Sequence, residues 1–300
     1  MTRYYLIPAL AIVLSVGACS KDSKSPDNGG NPNDSTKNNT GNPTMGSGKK
    51  GADFSTGMQY GSWNGDVLAL KPFWYYTWGK ELNGGSPQNC EFVPMFWGAA
   101  DVTANNLAAV KKLKDDGKIK YVLGFNEPNN GGQSNMSVSQ ALKLWPQLES
   151  LGLPLGSPAA DWPTSSWIYE FLDSCKAEGK RVDFICVHMY ANCDENVYLN
   201  TIKDVYNKYK LPIWITEFAP ADWNAQKPAD NPYSAAQVLA FMQSILPKLE
   251  ALDYVKRYSW FSGDPKSAQM WSSALIDVNG NLTELGKWYA NYQPNTAIAK

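Results

Sequence analysis

The chain has 300 residues, enough for one large folded domain or two smaller ones. Its 27 Lys and Arg nearly balance its 28 Asp and Glu, so there is no basic excess to attract nucleic acid. The sequence has only one long apolar run, which excludes a multi-pass membrane protein. The composition excludes collagen-like and mostly disordered chains.

The apolar run lies at the N-terminus and has the layout of a signal peptide. Arg3 supplies the positive end, and residues 6–16 form an apolar core too short to span a bilayer. The run ends in Val16-Gly17-Ala18-Cys19, which resembles the lipobox of bacterial lipoproteins. The sequence therefore predicts a lipoprotein signal over residues 1–19 with lipidation of Cys19. The alternative is a cleaved secretory peptide with an incidental cysteine.

Residues 20–50 are polar and contain one large apolar side chain, Met45. So little apolar surface cannot offset the entropy of ordering, which predicts a disordered tether. We expect this tether to hold a folded body, residues 51–300, at the outer membrane or cell surface of a bacterium. The periplasmic face is the alternative location.

Eight short apolar runs follow one another in the folded body, most with a helical pattern between them. They end near Phe54, Trp78, Trp97, Glu127, Asp161, Tyr190, Glu217 and Phe261. Their spacing centres on the roughly 30 residues of a β-α-β unit. Runs such as residues 121–125 and 213–215 are apolar on both faces, as buried parallel strands are.

The predicted fold class is α/β, a small (β/α)8 TIM-type barrel in one domain. One or more helices are expected to be reduced or missing, because only a Gly-, Asn- and Ser-rich loop separates Trp78 from Phe92. Capping boxes predict helix starts at Ser137 and Ser234. A doubly wound open sheet is the alternative, but no Gly-x-Gly-x-x-Gly motif follows the first strand.

Two of these strands end in a glutamate. Asn126-Glu127-Pro128 follows the fourth predicted strand, and Thr216-Glu217-Phe218 ends the seventh. Because catalytic groups of such barrels lie at the carboxyl ends of strands, both side chains are expected at one mouth. Paired carboxylates there suit general acid catalysis and nucleophilic attack on a sugar. The alternative is two structural glutamates paired to Lys or Arg.

The strand-end motifs together resemble those of glycoside hydrolase family 128, the small-barrel endo-β-1,3-glucanases. The resemblance runs in order from about residue 51 to about residue 292, and its motifs are Phe73–Trp78, Phe92–Gly98, Tyr121–Asn129, Val187–Tyr190 and Trp214–Phe218. It implies a retaining mechanism with Glu127 as general acid/base and Glu217 as nucleophile. It also implies that Asn126 binds the sugar 2-hydroxyl. Thr77 stands where the family often has Asn, which leaves one polar sugar contact open.

Further substrate-binding candidates sit at other strand ends. Trp and Tyr rings are flat and amphipathic, and sugars commonly stack on them. Each candidate also has a purely structural alternative, such as a core Trp or a hydrogen-bonded core His. The predicted substrate-binding side chains, besides Asn126, are Trp78, Trp97, Asp161, His188, Tyr190 and Trp260.

The sequence thus predicts a monomeric, lipid-anchored hydrolase that cleaves internal bonds of β-1,3-glucans with retention. No cofactor is expected, no metal set is expected with one His in the chain, and nucleic acid is not an expected partner. One alternative is a non-catalytic glycan-binding surface lipoprotein, which has no use for two convergent glutamates. Another is a β-1,4-glucanase or mannanase with the same acid/base chemistry.

Overall fold

The computed structural model describes residues 48–292, and its core is a ring of parallel strands. Six strands form one sheet in the order β3-β2-β1-β6-β5-β4. They are β1 (Lys50–Asp53), β2 (Trp74–Tyr76), β3 (Glu91–Phe92), β4 (Ile185–Ala191), β5 (Ile213–Pro220) and β6 (Val255–Phe261).

Two further extended segments, residues 122–126 and 155–159, close this sheet into a barrel. A parallel bridge joins Met95, just after β3, to Leu123, and another joins Val122 to Leu155. A third bridge, from Gly156 to Phe184, leads into β4. The ring therefore has eight members in chain order, which confirms the predicted TIM-type barrel. The 122–126 segment is its fourth member and β5 its seventh, as predicted.

Seven α-helices within residues 48–292 surround the ring. They are α1 (Trp63–Leu70), α2 (Ala104–Asp115), α3 (Val138–Glu149), α4 (Ser166–Glu178), α5 (Glu195–Tyr209), α6 (Ala235–Ala251) and α7 (Glu284–Asn291). Within the described residues no α-helix lies between β2 and β3, so the predicted loss of one helix is confirmed. Ser137 and Ser234 cap α3 and α6 through their hydroxyl groups, as their sequence motifs indicate.

Alternating side chains divide the buried residues into two apolar layers. One layer fills the barrel and includes Trp74, Tyr76 and Trp214, and the other lies between the strands and the helices. At the amino end of the strands Arg257 stacks over Trp214 at 4.2 Å and pairs with Glu91 at 2.7 Å. This ion pair and the ring beneath it therefore cover the amino end of the interior.

The folded body begins earlier than predicted. Residues 48–50 were expected to belong to the tether, but Lys50 starts β1 and is completely buried. Its ammonium donates to the carbonyl oxygens of Leu70, Tyr289 and Tyr292 at 2.9–3.0 Å. These carbonyls belong to the C-terminal ends of α1 and α7, which lack intrahelical donors. The two lysines before Gly51 are thus part of the barrel.

The remaining N-terminal predictions concern residues outside the described range. The signal over residues 1–19, Cys19 and the tether up to residue 47 all lie there. Among residues 48–292 no helix is both long and apolar enough to cross a membrane. The four cysteines in this range, Cys90, Cys175, Cys186 and Cys193, are unpaired thiols.

Candidate active site

The two predicted catalytic glutamates meet at the carboxyl end of the barrel. Glu127 follows the 122–126 segment and is 8% exposed, whereas Glu217 lies within β5 and is 4% exposed. One carboxylate oxygen of each lies within 4.8 Å of the other. Inverting glycosidases hold their carboxyl groups about 6.5–9.5 Å apart to admit a water, and retaining ones about 5–5.5 Å apart. The spacing therefore matches a double-displacement mechanism.

Three donors fix the orientation of Glu217. Tyr76 Oη donates to Oε1 at 3.0 Å, and Trp78 Nε1 donates to the same oxygen at 2.7 Å. Tyr190 Oη donates to Oε2. Burial, and then the charge of Glu217, raise the pKa of both tyrosines well above its usual value, so the phenols remain donors. Because hydrogen bonds to a charged acceptor are about twice as strong as neutral ones, the carboxylate is held in one position.

His188 lies between the two glutamates and is completely buried. Its Nδ1 is 3.0 Å from Glu127 Oε1, and its Nε2 is 3.4 Å from Glu217 Oε1. Burial alone lowers the pKa of the imidazole, but the charge of Glu217 and the bond to Glu127 outweigh it and raise that pKa. These surroundings favour the imidazolium form of His188, whose Nδ1 is hydrogen-bonded to Glu127 and whose Nε2 faces Glu217 without a hydrogen bond. Asn130 Nδ2 donates to the other oxygen of Glu127 at 3.2 Å.

A third carboxyl group, Asp53, lies at the end of β1 near Glu217. It is 2% exposed, and Ser259 Oγ donates to its Oδ2 at 2.8 Å. Burial and the charge of Glu217 together raise the pKa of Asp53 well above its usual value. This shift favours the protonated form of Asp53, because a second carboxylate buried beside Glu217 is costly.

The backbone is strained at two of these strand ends. Trp78 has φ 57° and Glu127 has φ 38°, in the left-handed region that residues with a Cβ rarely adopt. Such conformations cost about 1–3 kcal/mol and persist where the surroundings enforce them. Here they turn the indole of Trp78 and the carboxylate of Glu127 toward the mouth. No feature of the sequence signals either conformation.

Five of the predicted substrate-binding residues have polar or ring surface at the mouth. Trp78, Trp97 and Tyr190 are half-buried and pack at its rim. Asn126 is 4% exposed and donates to Gln133, while its Oδ1 is buried without a protein partner. The carboxylate of Asp161 accepts a hydrogen bond from Asn129 Nδ2, in the loop after Glu127.

The prediction for Trp260 is wrong. This ring is 1% exposed, packs against Phe218 and Phe241, and donates to the carbonyl of Ser273, so it presents no face to a sugar. Successive strand residues point to opposite faces, and Trp260 points outward to α6. Its neighbour Phe261 points into the mouth and contacts Trp78 and Tyr190. The alternation set by the inward Ser259 identifies Phe261, and sequence reasoning missed it.

Glu127, His188 and Glu217 are also close enough to offer three ligand atoms to a metal ion. However, Oε1 of Glu217 already accepts hydrogen bonds from Tyr76 and Trp78. A metal ion at this point has to displace these donors and compete with the imidazolium. The arrangement fits proton transfer and nucleophilic attack better than metal ligation.

Comparisons with known proteins agree with this geometry. The family profile described as glycosyl hydrolase catalytic core matches residues 61–289. Alkali-sensitive linkage protein 1 of Schizosaccharomyces pombe is 32% identical in an alignment of 254 residues that covers 81% of this chain and 44% of that protein. The chain thus spans less than half of the length of this curated relative.

Two solved structures share the fold. One is a family 128, subgroup I, endo-β-1,3-glucanase from Amycolatopsis mediterranei in complex with laminaripentaose, with TM-score 0.71 and 32% identity over 82% of this chain and 99% of that one. Another is a subgroup II endo-β-1,3-glucanase from Sorangium cellulosum, with TM-score 0.66 and 26% identity over 82% and 98%. The family profile covers most of this sequence, and the alignment with the Amycolatopsis enzyme covers nearly all of that enzyme. The chain therefore belongs to the glycosyl hydrolase catalytic core family and to glycoside hydrolase family 128.

Proposed function

We propose that this protein hydrolyses internal β-1,3-glucosidic bonds with retention at the anomeric carbon. The observation that carries the proposal is the pair of buried glutamates, with oxygens within 4.8 Å, at the mouth of a family 128 barrel. The relatives solved with laminari-oligosaccharides support the choice of linkage.

Each glutamate takes one role in two steps. Glu217 attacks the anomeric carbon, and Glu127 donates its proton to the leaving glycosidic oxygen, so one sugar chain departs and a glycosyl ester forms. Glu127 then removes a proton from water, which attacks the same carbon and releases Glu217 as a carboxylate. Tyr76, Trp78 and Tyr190 aim the nucleophile throughout, because they bind its oxygens.

The neighbouring side chains suit the binding of a glucan. The unpartnered Oδ1 of Asn126 is an acceptor for a sugar hydroxyl, in keeping with a contact to the 2-hydroxyl. Trp78, Trp97 and Tyr190 offer ring surface around the mouth instead of along one line, which favours a curved β-1,3 chain over a straight β-1,4 chain. Asp161 is a further polar contact at the same rim.

The test is digestion of laminarin, with product sizes read over time and cello-oligosaccharides as the comparison. Glu217→Ala should lose turnover by orders of magnitude while still binding laminari-oligosaccharides. Glu127→Ala should keep more activity on substrates with good leaving groups than on laminarin, because those need no proton. Near-normal laminarin turnover by either variant contradicts the role of that glutamate. If the wild type cleaves cello-oligosaccharides as well as laminarin, the proposed β-1,3 linkage specificity is contradicted.

For location we propose a monomer, lipidated at Cys19, at the bacterial outer membrane or cell surface. The Val16–Cys19 motif supports the anchor. The folded body begins at the amino end of β1, whereas the two glutamates lie at the carboxyl end of the barrel. Cys19→Ala should release the protein from the membrane fraction with unchanged specific activity. Unchanged fractionation of that variant contradicts lipid anchoring.

A further inference from the structure

A series of aromatic rings crosses the mouth, starting at residues that touch Glu217 and extending beyond them. Trp78 contacts Phe261 at 6.0 Å between ring centroids, Phe261 contacts Tyr190 at 5.4 Å, and Tyr190 contacts Trp223 at 5.7 Å. All three contacts are edge-to-face. Trp78 and Tyr190 both donate to Glu217, so two members of this series contact the nucleophile, and the series ends at Trp223.

Trp223 differs from the other members in its exposure. It is 47% exposed, and only Leu68 and Val278 are comparable among the large hydrophobic side chains of residues 48–292. An indole beside a cleft offers a sugar an apolar face and a hydrogen-bond donor at its edge. The loop after β5 thus brings a stacking surface to the mouth, one ring beyond Tyr190.

The turn that carries Trp223 is fixed on both sides by one residue. The amide of Asp222 donates to the carbonyl oxygen of Gln269 at 3.0 Å, and Gln269 Nε2 donates to the carbonyl oxygen of Ala225 at 2.9 Å. Asn231 Nδ2 also donates to the Gln269 carbonyl at 2.8 Å. The backbone around the indole is therefore positioned before any ligand arrives, which lowers the entropy cost of binding.

We propose that Trp223 binds a glucosyl unit that lies outside the sugars contacting the two glutamates. This inference rests on the proposed glucanase function and names the residue that selects for chain length. An outer contact binds substrate and transition state equally, so it lowers KM without changing kcat. Only chains long enough to reach the ring gain from it.

The experiment compares laminarihexaose with laminaritriose for wild type, Trp223→Ala, Trp223→Phe and the control Leu68→Ala. Leu68 is 58% exposed and lies on α1, so its variant removes exposed apolar surface away from the turn. Trp223→Ala should raise KM for laminarihexaose about tenfold, in the range of a lost aromatic stacking contact, with kcat within about twofold. Its kinetics on laminaritriose should be unchanged, and Trp223→Phe should fall between the two.

The role of Gln269 in fixing the turn is tested with Gln269→Ala, which removes the Nε2 donor to the carbonyl of Ala225. This variant should raise KM for laminarihexaose by about threefold although the indole remains. The inference is overturned if Trp223→Ala and Leu68→Ala have the same kinetics. It is also overturned if Trp223→Ala loses kcat equally on both substrates. A wild type that cleaves neither substrate contradicts the hydrolase function instead. In that case calorimetric affinity for laminarihexaose still tests Trp223, since the inference requires weaker binding by Trp223→Ala than by Leu68→Ala.

Discussion

Replacing His188 with Asn tests whether the imidazolium sets the pH range of the enzyme. Asn keeps an amide donor near the Nδ1 position that faces Glu127, but it carries no charge and does not reach Glu217. The variant therefore separates the positive charge from the hydrogen bond of 3.0 Å to Glu127.

The size of the effect follows from the distance between the carboxylates. Two unit charges 4.8 Å apart repel by about 3.5 kcal/mol at an effective dielectric constant of about 20. In the wild type the charge on His188 offsets this repulsion, because its raised pKa keeps it protonated to higher pH than a free imidazole. Without that charge, proton uptake by the pair becomes easier by up to about 2.5 pH units, since one unit corresponds to about 1.4 kcal/mol.

The measurement is the pH dependence of kcat/KM on laminarin. Both limbs of the profile should move to higher pH by about one to two units in His188→Asn. Wild-type stability should also depend on this group: its contribution is full below about pH 6.5 and is lost as the pH rises through the raised folded-state pKa. If the variant is folded and both limbs of its pH profile stay within about 0.3 units of the wild type, the charge of His188 does not set the pH range.

Two stability predictions follow from the packing. Lys50→Met leaves three backbone carbonyls without their donor and should lower the free energy of unfolding by about 3 kcal/mol in urea titrations. The control Lys112→Met, on an exposed helix face, should change the free energy of unfolding by less than about 0.5 kcal/mol. Equal effects of the two substitutions contradict the capping role of Lys50. Trp260→Ala should cost about 3–5 kcal/mol of stability and leave KM for laminari-oligosaccharides unchanged. A raised KM with little loss of stability restores the sugar-platform interpretation of Trp260.

Strand ends were predictable because their signal is local. An apolar run followed by Glu places the carboxylate at the carboxyl end of a parallel strand, and the ring order then brings Glu127 and Glu217 to one mouth. Tyr190 was predicted on the same grounds, since it shares a strand face with His188. Trp260 was predicted because it is a tryptophan on the last strand, and the alternation along β6 was not applied, so Phe261 was missed. A slip of one residue exchanges the two faces of a strand.

Contacts between distant elements were beyond the reach of the sequence. Lys49 and Lys50 follow a polar stretch, and composition assigns such lysines to solvent. In the fold, each ammonium meets three carbonyl oxygens at helix C-termini: Lys49 at the end of α6, Lys50 at the ends of α1 and α7. An ammonium has three donors and a helix end has unpaired carbonyls, so the match is chemically favourable once the helices are in place. These lysines and helix ends are far apart in the sequence and meet only in the folded barrel. The boundary of the folded body is therefore a tertiary property, and composition alone puts it too late in the chain.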